Sequence, residues 1–206
     1  MKRLATILLT ICAFNINVNA YNKNVSNIPR LTFGAEWGYV GTFHYTYNFN
    51  YFTTEGYRFN ETGSSLNWAN NGEVNLHIGY NLNHHWNLAL YGGMTGLMNI
   101  HNAVPISFRA TYLFGEDHLA DRWLAFADLG TGFSLKNEPQ EIMSGKLGGG
   151  YRFSFSRDTK LDIIAAVRLT HTHPQIISEN EMISLKWVNR NSAFLSAVFI
   201  GISLTL

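Results

Sequence analysis

Apolar and polar side chains alternate with a period of two along most of this sequence. Leu31, Phe33, Ala35, Trp37 and Tyr39 share one parity, and Thr32, Gly34, Glu36 and Gly38 share the other. Successive side chains of a strand point to opposite faces, so this stretch reads as a strand with one greasy and one polar face. The pattern recurs over 73–82, 86–94, 104–114, 123–133, from about 143 to 155, 161–170 and 192–206. In the last of these, Phe194, Val198, Ile200, Ile202, Leu204 and Leu206 make the greasy face, while Ala193, Ala197, Gly201, Ser203 and Thr205 supply a small, uncharged one. The fifth strand is mixed, with Leu124 and Phe126 on the parity of Asp128, Gly130 and Gly132. Short turns fall at 83–85, 115–122 and 156–159, and longer connections at 44–72, 99–103, 134–142 and 172–191. Eight strands with short and long connections in alternation predict an all-β, antiparallel, up-and-down transmembrane barrel.

Composition decides which face looks outward. Charged residues make up only 14% of the chain, aromatic residues another 14%, and there are 18 glycines. A soluble eight-stranded ligand carrier of the lipocalin sort would line its cavity with the apolar face and put charges in water. The polar face here is small and Gly-rich, so the greasy face is assigned to lipid. Trp37, Trp86, Tyr112, Phe114, Trp123, Tyr151 and Phe155 lie on that face or near strand ends, as interfacial girdles require.

Residues 1–20 read as a secretory signal peptide: Lys2 and Arg3, an apolar core over 4–14, and Val18-Asn19-Ala20 as a cleavage site. The core is too short to span a bilayer as a helix, which takes about 20 residues. Residues 21–206 are then the barrel, expected in a Gram-negative outer membrane. An exported N-terminus starts in the periplasm, which puts the long connections outside. Cys12 leaves with the signal, so disulfides and thiolate metal sites are excluded, and neither a metal nor another cofactor is expected. The net charge of +1 offers no field for nucleic acid. Gly148-Gly149-Gly150 lies within a strand and lacks the Lys-Ser or Lys-Thr of a phosphate loop.

Over nearly all of 21–206 the pattern resembles the small eight-stranded outer-membrane barrels of the OmpA and OmpX type, although the chain ends on Leu206 where such barrels usually end on Phe. The resemblance implies a monomer surrounded by outer-membrane lipid and lipopolysaccharide.

Three groups of residues carry candidate chemistry. Glu36, Glu73, Arg109, Asp128, Lys146, Arg152, Asp162 and Arg168 are predicted to face the lumen. An interior of this size is filled by side chains, so these charges are expected to pair as a plug, the alternative being a narrow channel. The alternation also runs on through Phe43, Tyr45, Tyr47, Phe49 and Tyr51, past the roughly 9 to 11 residues a tilted strand needs to cross. The strand is therefore expected to project with Tyr45, Tyr47, Phe49 and Tyr51 still on the lipid-facing parity. Such a stem suits contact with an extracellular protein or glycan, a structural or adhesive role, unless it only pairs with 67–75 as a long hairpin. Third, His171 and His173 share a face at a strand end, with no third metal ligand placed by sequence; His84 and His85 read as a solvated turn. The segment 168–173 resembles the His-x-Ser region of PagL-type lipid A deacylases, His171 matching the histidine and His173 standing at the serine position. That resemblance implies an outer-wall hydrolase, with Ser192 or Ser196 on the next strand as nucleophile and Glu179 or Glu181 orienting the base.

Overall fold

Every alternating segment becomes a strand hydrogen-bonded to its sequence neighbours. The computed structural model describes residues 29–53, 55–97, 102–135, 141–156, 158–174, 176–178 and 181–206. The predicted signal segment lies outside them. The strands are β1 (Leu31–Phe52), β2 (Arg58–Ser65), β3 (Ala69–Asn81), β4 (Trp86–Gly96), β5 (Asn102–Leu113), β6 (Arg122–Ser134), β7 (Glu141–Ser154), β8 (Lys160–Thr172), β9 (Ile177–Ser178), β10 (Glu181–Met182) and β11 (Val188–Thr205). β1, β3 to β8 and β11 pair antiparallel in that order, and β11 pairs back to β1. Phe33 and Leu206 exchange both backbone hydrogen bonds at the closure, 3.0 and 2.7 Å. This is an eight-stranded antiparallel barrel with no open edge in its wall, the condition for a sheet to sit in hydrocarbon.

Exposure settles the faces. Leu76 is 69% and Leu147 71% exposed on the outer wall, whereas Glu36 and Asp128 are 1% and 2% exposed inside. At the short-turn end the outer wall carries edge-to-face aromatic pairs, Trp86 with Tyr112 and Trp123 with Tyr151, their centroids 5.1 and 5.0 Å apart. At the opposite rim the Trp68 indole donates to the Tyr39 hydroxyl at 2.7 Å and to Asn70 Oδ1 at 2.8 Å. Pro105 lies inside β5, not at its end. The β4–β5 ladder passes from Gly92↔Ile106 to Thr95↔Ala103 without bridges between, where proline has no N–H to give.

Two expectations need correction. The inner face of β11 is not uniformly small: Leu195 and Phe199 point inward, and Phe199 is fully buried. Its ring fits because Gly38 and Gly201 flank it; a Cβ on Gly38 would stand 2.4 Å from a ring carbon. The second correction concerns the aromatic stem. Between Thr42 and His44 the β1–β11 register slips by one residue, leaving Phe43 as a β-bulge. The bulge flips the alternation. Beyond it Tyr45 pairs with the buried Leu195 and Tyr47 with the buried Ala193, so Tyr45, Tyr47, Phe49 and Tyr51 continue the inner face, not the lipid-facing one.

Above the bulge β1 leaves the wall. Its lower half pairs with β3 from Leu31 to Thr42, and its upper half pairs with β2 from Tyr45 to Phe52. On its other side β11 follows it to Val188. A three-stranded sheet, β2-β1-β11, thus stands above the rim on the long-loop side. Its inner face is capped by the last loop: Tyr51 is buried with Ile176 and Ile183, and Phe49 and Val188 pack against them.

Candidate functional site

The lumen is the first place to look for function, and it is filled. Glu36, Glu73, Arg109, Asp128, Lys146, Arg152, Asp162 and Arg168 all point into it, and all are nine-tenths or more buried. The Arg109 guanidinium grips Glu36 through both terminal nitrogens and Asp128 at 3.0 Å. It lies between the rings of Tyr91 and Phe126, 4.0 and 4.5 Å from their centroids. Lys146 contacts Glu73, with Glu36 at 3.7 Å and Asp128 at 3.9 Å, and rests over the Phe199 ring. Arg168 holds the other Glu73 oxygen at 2.8 Å and Thr95 Oγ1 at 2.7 Å. Arg152 and Asp162 form a separate bidentate pair, both bonds 2.7 Å. Four carboxylates meet four cations, so the network is neutral.

Apolar side chains complete the packing: Leu113, Leu124, Phe126 and Ile164 cluster with Val40 and Phe199. A cavity of about 20 Å³ lined by His77, Asn81, Asn87, Arg152 and Asp162 remains toward the short-turn end. That is room for roughly one water.

On the outer wall at the long-loop rim, β8 and β11 bring together residues far apart in sequence. Phe194 pairs with His171, and the diagonal places Ser192 Oγ 3.0 Å from His171 Nε2. Hydrogen-bond reach between a serine and an imidazole is the first requirement of an activated hydroxyl. The His173 ring packs edge-on against His171 at 4.8 Å. Ser196 lies lower, opposite Leu169. Ser192 and Phe194 also line an open groove of about 460 Å³ with Thr46, Asn48, Thr62 and Ser64. Of the sequence-expected orienting acids, Glu179 and the Glu181 side chain lie outside the described residues. Glu141 stands at the same height: β7 and β8 pair Ile142 with Thr172, one residue short of Glu141 and His173. Among the described residues no three His, Cys, Asp or Glu side chains gather as a metal site.

The projecting sheet is the third region. Tyr45, Tyr47 and Phe49 stack at 5.5 and 4.9 Å along β1, and Tyr51 stacks on Phe59 of β2 at 5.8 Å. The Tyr47 hydroxyl donates to Glu61 at 3.0 Å, a bond that raises its pKa above the ordinary phenol value. β2 ends the sheet order, and its outer edge carries no further strand among the described residues. Around it Tyr57, Phe59, Leu66 and Trp68 are 50 to 80% exposed.

No protein-family model matches the chain, and no curated protein sequence matches it. Among solved structures it is similar to Neisserial surface protein A (NspA), at 13% identity and a TM-score of 0.47 over 84% of this chain and 95% of that one. It is similar also to the outer membrane protein OprG from Pseudomonas aeruginosa, at 9% identity and 0.48 over 85% and 95%. A third is the outer membrane protein AlkL in DMPC bilayers, at 10% identity and 0.44 over 91% and 96%. A closed eight-stranded wall, apolar outside and filled with paired charges inside, makes this chain an outer-membrane β-barrel of the small eight-stranded class.

Proposed function

We propose that the protein is a non-conducting, non-enzymatic surface barrel that acts by contact, through the sheet β2-β1-β11 above the membrane, with an extracellular protein or glycan. The barrel itself is then a monomeric anchor in lipid and lipopolysaccharide. The observation that carries this reading is the unpaired outer edge of β2 beside exposed Tyr57, Phe59, Leu66 and Trp68. An open edge accepts an added strand, and exposed aromatics supply contact area for a peptide or a sugar ring. The packed lumen weighs against a channel. Deleting 46–66 removes β2 together with the projecting half of β1 and leaves 43–45 and 67–68 to join Thr42 to Ala69, which already pair in the wall. Cells carrying that deletion should lose adherence to host cells and matrix proteins relative to wild type; unaltered adherence removes the proposal.

A second reading rests on the single contact between His171 and Ser192. In it His171 Nε2 takes the Ser192 proton as Oγ attacks an ester carbonyl, the proton passes to the departing alkoxide, and water then frees the fatty acid from the acyl-serine. A position on the outer wall at the rim suits an acyl ester of an outer-leaflet lipid such as lipid A. Mass spectrometry of lipid A from cells with the wild-type protein, His171→Ala and Ser192→Ala decides it: identical acylation in all three removes the hydrolase.

A further inference from the structure

At the short-turn mouth of the barrel the charge balance of the mid-lumen fails. Arg122 opens β6 pointing inward, opposite Arg152 of β7, and is 8% exposed. Lys160 opens β8, also 8% exposed, its Nζ donating to Ser154 Oγ at 3.1 Å and to the Ser156 carbonyl at 2.8 Å. Arg152 is already neutralised by Asp162. Among the described residues no carboxylate lies within 4 Å of the charged nitrogens of Arg122 or Lys160. Of the nearby acids, Asp117 accepts from the Leu119 N–H and Asp121 from the Ser154 N–H, each at 2.8 Å, while Asp158 acts on Lys160 and Asp162 on Arg122 only from beyond ion-pair distance.

Two buried nitrogens on residues joined by one hydrogen bond lack partners. Arg122 reaches across the mouth to donate Nη1–H to the His84 carbonyl at 2.8 Å, yet its Nε is buried without a hydrogen-bond partner. His84 Nδ1 is likewise buried and unpartnered, and its ring faces that of His118 at 5.9 Å. A buried guanidinium N–H left unpaired is costly, and native proteins rarely keep one without a reason. The His118 imidazole is pushed below its ordinary pKa by burial, then by His84 and Lys160, the mark of a positive enclosure.

We propose that this mouth is a binding site for a phosphate group, held by Arg122 Nε, His84 Nδ1 and Lys160. Two cations outside any ion pair suit a phosphate group, which carries about −1.5 to −2 at neutral pH as the free ion and about −1 as a lipid diester. Donors arriving from β6, from the 82–85 turn and from β8 suit a tetrahedral acceptor better than a planar carboxylate. The group is either free inorganic phosphate of the periplasm or the headgroup of an inner-leaflet phospholipid reaching over the rim.

The test uses the folded full-length barrel with histidine rings carbon-13 labelled, and follows the His84 and His118 ring signals by NMR. In dodecyl maltoside micelles, which carry no phosphate, inorganic phosphate added at constant ionic strength against chloride should shift both signals saturably if the free ion is the ligand. Phosphatidylglycerol nanodiscs without inorganic phosphate should show the shifted signals if a headgroup is. Arg122→Gln should weaken the response at least tenfold. Lys160→Gln, which leaves the Arg122–His84 hydrogen bond untouched, serves should the first variant fail to fold, folding being read from heat-modifiable migration. No saturable shift in micelles and no shifted signals in the discs, or equal affinity for wild type and every folded variant, overturns the site.

Discussion

Removing Arg109 is the sharpest probe of the lumen. Arg109→Met keeps the length and apolar volume of the stem but deletes the group that holds both Glu36 and Asp128. Those carboxylates are 1% and 2% exposed, so water cannot replace it. Only Lys146 remains near them, at 3.7 and 3.9 Å and already committed to Glu73, leaving four carboxylates facing three cations. Breaking a buried pair by removing one partner costs about 3 to 5 kcal/mol, and loss of the stacking over Tyr91 and Phe126 adds up to about 1 kcal/mol. The expected loss is about 4 kcal/mol of unfolding free energy. Adding Glu36→Gln removes the stranded carboxylate and restores neutrality. The double variant should therefore recover about 2 to 3 kcal/mol relative to the sum of the two single losses. The measurement is equilibrium urea unfolding of the barrel refolded in vesicles, followed by tryptophan fluorescence for wild type, both single variants and the double. A loss under about 1 kcal/mol for Arg109→Met, or single losses that simply add, refutes the account of the network as mutually dependent.

Other expectations follow from local geometry. Gly38→Ala places a Cβ 2.4 Å from the Phe199 ring and should destabilise the barrel by about 1 to 3 kcal/mol, a loss that Phe199→Leu relieves in the double variant under the same urea titration. His118 holds its pKa below the unfolded value of about 6.5, so its contribution is complete above that pH and is lost as pH falls through the folded value. His118→Asn should flatten this acid limb of the stability profile, and an unchanged slope counts against it. Because Glu61 raises the Tyr47 pKa through a hydrogen bond, and its charge adds to the burial that raises that of Tyr45, Glu61→Gln should move both phenol transitions to lower pH in an absorbance titration, with Tyr47→Phe identifying the first. Planar-bilayer recordings of the wild-type barrel should show no steps comparable with those of a general porin, since paired charges and the cluster around Phe199 occupy the mid-lumen.

The fold was legible because parity holds through the wall-forming part of each strand: Val74, Leu76 and Ile78 against Asn75 and His77 already state which side meets lipid. The eight lumen charges were visible for the same reason, each standing among greasy neighbours of the opposite parity. Their partners were not, because Arg109 and Glu36 lie 73 residues apart and meet only across the closed interior. Phe43 misled the reading of the stem, since aromatics follow on alternate positions either side of the bulge and nothing in their order betrays one surplus residue. Phe199 could be admitted only by seeing Gly38 and Gly201 beside it. The meeting of His171 with Ser192 depends on the β8–β11 register, which the final loop, irregular in sequence, does not set.

The bridges of the plug span the chain. Glu36 and Glu73 come from β1 and β3, while Lys146 and Arg168, the cations that answer Glu73, come from β7 and β8. A partly inserted sheet holding only β1, β3 and β4 would carry two acids into hydrocarbon while their counterions stood on strands not yet docked. Entry into the bilayer is therefore tied to late strand arrival, and a machinery that delivers this protein must shelter the early hairpins until the last one docks.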